Sequence, residues 1–173
     1  MSDTLITVIA IALAAILMFV FPLMTMSDRT DDVSQLTIET ATTDFVDEVR
    51  STGKITPDKY SKFIENIGST GNTYNVEMKI DVLDENPGKK TTQTTKDKIG
   101  ENVYYSIYTS QIEEVLETGK NYNLKEGDIF SVSVKNTNQT LAQQLKNFFY
   151  TVVGNDTYTI AASHGGMVSA TGK

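Results

Sequence analysis

From Thr4 to Ser27 every position is uncharged, and the centre of that run, LITVIAIALAAILMFVFPLM, is apolar on all sides. About 20 such residues, at 1.5 Å of rise each, cross the roughly 30 Å of hydrocarbon in a bilayer. Past this run the pattern changes period rather than stopping. Val33, Leu36 or Ile38, Ala41 or Thr42, Phe45 and Val49 recur three or four residues apart, while Glu39, Asp44, Asp47, Glu48 and Arg50 fall on the other faces. That is the stripe of a one-sided amphipathic helix. Gly53 suits the left-handed residue that closes a helix, and Arg50 and Lys54 suit the negative end of its dipole. Residues 4 to 52 are therefore predicted to form one helix of about 49 residues, roughly 73 Å long. Pro22 removes a backbone donor and crowds the carbonyl four residues back, so any loosening should lie between Ala14 and Pro22, centred near Met18. The competing arrangement is two helices, the second capped by Asp28 or Thr30.

The remaining pattern predicts an α+β head. TPDKYSKFIENIG has Thr56 as a cap, Pro57 at the first helical position, Tyr60, Phe63, Ile64 and Ile67 on one face, and Gly68 as terminator. YNVEMKIDVL alternates Tyr74, Val76, Met78, Ile80 and Val82 against Asn75, Glu77, Lys79 and Asp81, the signature of a half-buried strand. DENPGKKTTQTTKDKIGEN is polar and rich in turn signals, so it reads as a long exposed loop. VYYSIYTSQIEEVLETG is ambiguous at its start and helical later, through Ile112, Val115, Leu116 and Gly119. GDIFSVSVK predicts a second strand with Phe130, Val132 and Val134 inward. Asn138 would cap a helix carrying Leu141, Leu145, Phe148, Phe149 and Val152 up to Gly154. DTYTIAAS predicts a third strand and MVSAT a short fourth. Strands with one apolar face need a cover, so the expected head is a small, mainly antiparallel sheet with helices on one side. Phe45 and Val49 should pack against it, on the apolar face of the Tyr74 to Val82 strand.

The chain divides by pattern into an apolar half-helix (1–27), an amphipathic half-helix (28–53) and the head (54–173). About 145 residues beyond the span suffice for one domain with its own core. A net charge of -7 and a pI near 4.7 argue against nucleic acid as a partner, because phosphate contacts need clustered Lys and Arg. The absence of cysteine excludes disulfides and thiolate metal sites. The tail ahead of the span, Met1, Ser2 and Asp3, holds no Lys or Arg, so the run reads as a retained helix rather than a cleaved signal. Neither flank is basic enough to fix orientation; Arg29 sits among Asp28, Asp31 and Asp32.

Candidate chemistry is sparse. A single histidine, His164, rules out a His-based metal cluster. Ser163 precedes it, but neighbours in a strand point to opposite faces, so SHGG reads as a surface turn rather than a nucleophile and its base. Asp81, Asp84, Glu85 and Asn86 are hard oxygen ligands without calcium-loop spacing, and read as a solvated turn. Lys89, Lys90, Lys96 and Lys98 make the one basic concentration, in the polar loop, and NQT and NDT match the glycosylation triplet. Tyr104, Tyr105, Tyr108, Phe148, Phe149 and Tyr150 read as core and subunit packing. No catalytic constellation emerges, so the chain is expected not to be an enzyme and to need no cofactor.

A very short polar tail, an apolar half-helix, a proline about 22 residues in, an amphipathic half-helix ending in glycine and a compact α+β head together resemble type IV pilins and tight-adherence pilus subunits. The segment STGKITPDKYSKFIENIGSTGNTYNVEMKI is similar to pilus-locus proteins of Gram-positive bacteria. The resemblance implies a structural subunit that is anchored in the membrane before assembly. It would then be added by assembly machinery to an extracellular, homopolymeric helical filament at the cell surface. Leu5 stands where pilins carry a glutamate, so the resemblance passes that charge's role to Asp3, which would compensate the α-amino group of its own or a neighbouring chain; the alternative reading of Asp3 is a solvated tail residue that caps the helix. Ala10 with Ala14, and Ala12 with Ala15, offer small faces for close helix contacts, and Pro22 marks where the helix can loosen. The other reading from the same residues is a single-pass anchored accessory protein of a pilus, secretion or conjugation machine, its head binding a protein partner.

Overall fold

The computed structural model describes residues 2–84, 104–150 and 159–172. Helix α1 (Ser2–Ala15), a π-helical turn (Ile16–Val20) and helix α2 (Phe21–Thr52) follow one another without interruption. The widened turn lies just ahead of Pro22 and contains Met18, whose carbonyl a proline four residues on leaves without its usual donor and crowds with its ring. An i→i+5 turn relieves that crowding while keeping the chain helical. Asp28 and Thr30 lie inside α2 and start no second helix; the Thr30 hydroxyl donates back to the Met26 carbonyl at 3.1 Å.

The helix stops at Gly53, whose φ of 66° is left-handed and whose N–H returns to the Val49 carbonyl at 2.8 Å. Its last carbonyls are then taken by the head. Arg50 O accepts from Ser169 N at 2.9 Å, and Gly53 O accepts from Leu124 N at 2.7 Å. Strand β1 (Lys54–Ile55) follows and pairs with β4 (Tyr122–Asn123), a ribbon too short for any periodicity to reveal. Helix α3 (Pro57–Gly68) opens with Thr56 Oγ1 accepting from Lys59 N at 3.2 Å and with Pro57 in place. Phe63 and Ile67 point inward; Ile64 is exposed. The left-handed glycine beyond this helix is Gly71, not Gly68.

The main sheet is antiparallel, in the order β3 (Tyr104–Tyr108), β2 (Tyr74–Leu83), β5 (Ile129–Asn136), β6 (Ala161–Met167). On its inner face Ile80 lies opposite Ile107 and Phe130, Met78 opposite Val132, and Val76 opposite Val134. This face meets α2, α3 and α4 (Thr109–Glu117), forming one core with Ile38, Phe45, Val46, Val49, Phe63, Ile67, Ile112 and Leu116. On the outer face Asn75, Glu77, Ser133, Lys135 and Ser163 stay exposed. The protein is thus α+β, a long helix leading into a small antiparallel sheet with helices on one side.

Several expectations need correction. Within the ambiguous segment Tyr104–Tyr108 form strand β3, at the sheet edge, and Tyr104, Tyr105 and Tyr108 are exposed there rather than in the core. Of the strand expected over DTYTIAAS, residues 156–158 lie outside the described residues and Ala161 to Ser163 belong to β6, which runs on to Met167, and MVSAT adds no strand of its own. SHGG is therefore not a turn. Close approach favours glycine at Gly165, where a Cβ would lie 2.7 Å from Ser131 Cβ; at Gly166 a Cβ would meet only the Arg50 guanidinium end, at 2.6 Å from its carbon, which can shift. The cap of α5 (Leu141–Tyr150) is Thr140, not Asn138. Thr140 Oγ1 accepts from Gln143 N at 3.2 Å while Gln143 Oε1 accepts from Thr140 N at 3.1 Å, a reciprocal box. Glu85, Asn86, the lysines from Lys89 to Lys98, Val152, Gly154 and the NDT triplet lie outside the described residues.

Candidate assembly site on the long helix

The two halves of the long helix meet different surroundings. Between Asp3 and Met26 the side chains are exposed except at Val20 and Met24, which are half-buried. Leu5, Ile6, Val8, Ile9, Ile11, Leu13, Leu17, Phe19 and Phe21 are all exposed. This is an apolar surface far larger than an isolated soluble protein leaves in water. The helix Asp3–Thr52 is long and apolar enough to cross a membrane. Asp3 lies in the first turn, where its backbone carbonyl accepts the Thr7 hydroxyl at 2.7 Å and where a carboxylate suits the positive end of the dipole. Ala10 and Ala14 are exposed on α1, one turn apart, ahead of the π-helical turn; Pro22 is exposed just after it.

The second half is fixed to the head. Phe45 is 4% exposed; its ring stacks on Phe63 at 4.5 Å between centroids and meets Phe130 edge-on at 5.9 Å. Val49 is wholly buried. The elements nearest α2 are β6, α3 and β5, and Phe45 and Val49 share one core with Met78 and Ile80 of the Tyr74 to Val82 strand.

Toward the apolar half the buried stripe turns polar. It runs Ser27, Asp31, Ser34, Ile38, Thr42, Phe45, Val49, so that of the alternatives Leu36 or Ile38 it is Ile38 that is buried, while Val33, expected inside, and Leu36 are each 65% exposed. The reason is what the head offers at that level. Asp31 Oδ2 accepts the Thr140 hydroxyl at 2.6 Å inside the interface, and Asp28 pairs with Lys146 Nζ at 2.6 Å. Gln35 spans the end of β6 with both ends of its amide, donating to Ala161 O at 2.7 Å and accepting from Ala161 N at 3.0 Å. A buried polar stripe is stable where it finds such partners. Hydrophobic periodicity registers only apolar positions and so misses it.

Further up, His164 Nε2 lies 3.3 Å from Asp47 Oδ1, which also accepts from Arg50 Nη1 at 2.7 Å, and Arg50 Nε donates to Met167 O at 3.0 Å. Ser163 pairs across the sheet with Ser133, away from this cluster, so serine and histidine do not meet. The Asp47 carboxyl is held below its ordinary value of 3.8, chiefly by the His164 hydrogen bond, with partial desolvation opposing it and Arg50 assisting. A depressed carboxylate stabilises the fold above its unfolded value and loses that contribution as pH falls through the folded one. His164→Ala, which leaves no donor there, should therefore move the Asp47 titration up toward 3.8. Carboxyl-carbon NMR checks this, and an unchanged midpoint would contradict it.

The other candidates are occupied by local bonding. Asp81 accepts from Ser106 Oγ at 2.6 Å and from Lys79 Nζ at 2.9 Å. Asn138 of the NQT triplet accepts from Thr73 N and donates to Asn72 Oδ1, both at 2.9 Å, and thereby joins two loops. Among the described residues no group of three or more His, Cys, Asp or Glu side chains is arranged to hold a metal. Comparison with protein-family models, curated proteins and solved structures found no match to the chain.

Proposed function

We propose that this chain is the structural subunit of a type IV pilus-like extracellular filament, held in the membrane by its apolar half-helix before assembly and polymerising through that same half-helix afterwards. The observation that carries the reading is the continuity of one helix across two environments. A membrane anchor alone needs about 20 apolar residues and no rigid link to its head. Here 50 residues from Asp3 to Thr52 form a single rod. Its second half is built into the head core through Phe45 and Val49. Such a rod transmits the position of the buried half directly to the head, as a subunit in a helical array requires. Repetition of one heterologous contact that does not close generates the array. In it the apolar half would be covered by the same half of neighbouring copies, with Ala10 and Ala14 allowing close approach.

Asp3 has a specific part in this reading. A protonated α-amino group entering a packed bundle of apolar helices is costly unless a carboxylate compensates it. Asp3→Asn keeps the first-turn hydrogen-bonding capacity and removes the charge. The expected result is a normal membrane level of the chain with much less of it in material sheared from the cell surface. Equal amounts of sheared filament from both forms would reject this role for Asp3. If the unaltered chain stays in the membrane fraction after shearing, the anchored accessory protein is the better account.

A further inference from the structure

The sheet ends on one side at β6, and alternation along that strand decides which of its backbone groups have partners. Ile160 O accepts from Asn136 N at 3.0 Å and Val168 N donates to Asp128 O at 2.7 Å, so even-numbered residues turn their N–H and C=O toward β5. Odd-numbered residues turn theirs to the open edge. Near its two ends α2 fills that edge: the Gln35 amide bonds Ala161 N and O, and Arg50 Nε donates to Met167 O. Between them lie Ser163 and Gly165, both exposed, whose outward N–H and C=O groups have no partner among the described residues. Four unpaired main-chain groups at a sheet edge are a template for another strand. Beside them is a cleft of about 280 Å³ between Glu39, Thr42 and Thr43 of α2 and residues 161–164 of β6. Thr42 is 1% exposed, and its hydroxyl has no hydrogen-bond partner. Elsewhere on the long helix Thr7, Thr25, Thr30 and Thr37 each donate to the carbonyl four residues back. An unbonded buried hydroxyl is costly, and beside a cavity it marks a place for a ligand atom.

We propose that the free stretch of the β6 edge and this cleft form one docking site for an extended, lysine-bearing segment of a partner protein. The two residues flanking the lysine exchange main-chain bonds with Ser163 and Gly165 in antiparallel pairing, as the Gln35 amide does with Ala161. Side chains alternate across a strand, so the lysine between them, opposite His164, points to the covered face of the sheet, where α2 and the cleft lie. There the Glu39 carboxylate and the Thr42 and Thr43 hydroxyls offer three oxygen acceptors, and an ammonium has three donors and no acceptor. The charges agree. Asp47 is already paired with Arg50, whereas Glu39 bonds the neutral Gln35 amide. Lys135, opposite Ala161, is on the outer face, and the net charge of -7 favours a cationic partner. The site is on the head, away from the apolar half-helix, and is independent of the filament reading.

The test is an NMR titration of the full, isotope-labelled chain in zwitterionic detergent micelles with the short probe acetyl-Val-Thr-Lys-Thr-Val-amide. The expected result is a saturable displacement of the Ser163 and Gly165 amide resonances. N-methylation of the probe's two threonines, which removes the pairing donors, should abolish it. Glu39→Gln should weaken binding about tenfold and Thr42→Val about threefold, the scales of a charged and a neutral hydrogen bond. Thr42→Val also separates binding from folding, because loss of an unbonded hydroxyl should not lower the denaturation midpoint. Ser163 and Gly165 resonances that stay in place in millimolar probe would overturn the proposal. So would equal displacement by the N-methylated probe or by one with glutamate in place of lysine. Displacement of the same two resonances by rising chain concentration alone, unchanged by the probe, would overturn it in favour of a second copy as the occupant.

Discussion

Replacing Phe45 with aspartate is expected to leave the head without a cooperative melting transition. The ring is nearly wholly buried, stacked on Phe63 and edge-on to Phe130, so it joins α2, α3 and β5 at one point. Truncation to alanine alone should cost about 3–5 kcal/mol, the usual range for a core phenylalanine. Aspartate adds an unpaired charge in an apolar site, a several-kcal/mol burden that a domain of this size does not tolerate. Urea denaturation of a soluble chain beginning at residue 28 checks both variants. A Phe45→Asp form that melts like the parent would mean that α2 is not part of the head core.

Gly53→Val should be nearly as damaging, for a different reason. The residue is left-handed, φ 66°, where a β-branched side chain is strained. A Cβ there would also overlap the backbone oxygen of Ala170 and press on Gly172 N. The C-terminal segment holds the end of the long helix through Ser169 N to Arg50 O at 2.9 Å, and Gly172 N bonds Leu124 O at 2.9 Å. Displacing it should remove those bonds together, costing roughly 3 kcal/mol or more when strain and overlap add. The denaturation midpoint measures the loss. A change under about 1 kcal/mol, the scale of a Gly replacement at an unstrained site, would show that the segment yields freely.

The strongest sequence signals were those in which local pattern and tertiary demand coincide. The apolar run, the proline and Gly53 specified the long helix, because composition, period and terminator all describe the same element. Thr56 and Pro57 did the same for α3, and the alternation in β2 and β5 matched their single covered face. The misses arose where tertiary contact overrides pattern. Gly165 and Gly166 look like a turn in isolation, yet they lie in β6, paired with Ser131 and Phe130, and Ser131 lies too close to Gly165 for a side chain. The buried face at Ser27, Asp31 and Ser34 is polar because the head supplies Thr140 and Asn72 as partners, the latter donating to Ser34 Oγ at 3.5 Å. Val33 and Leu36 turn outward as a result. Tyr104, Tyr105 and Tyr108 fit a core by composition, but β3 is an edge strand, and the edge position determines their exposure. For the assembly site, the bareness of residues 3–26 was legible as an uncharged run. Its attachment to the head through Phe45 and Val49 was also expected from the stripe; what the pattern missed is the polar contact face at Ser27, Asp31 and Ser34.

The most direct test of the filament account is a cryo-electron microscopy reconstruction of material sheared from cells that make this chain. The account predicts a helical polymer of this subunit, with residues 4–26 of neighbouring copies packed against one another along the axis and the sheets outside. Sheared material that lacks the chain, with all of it remaining as single copies in the membrane, would contradict it.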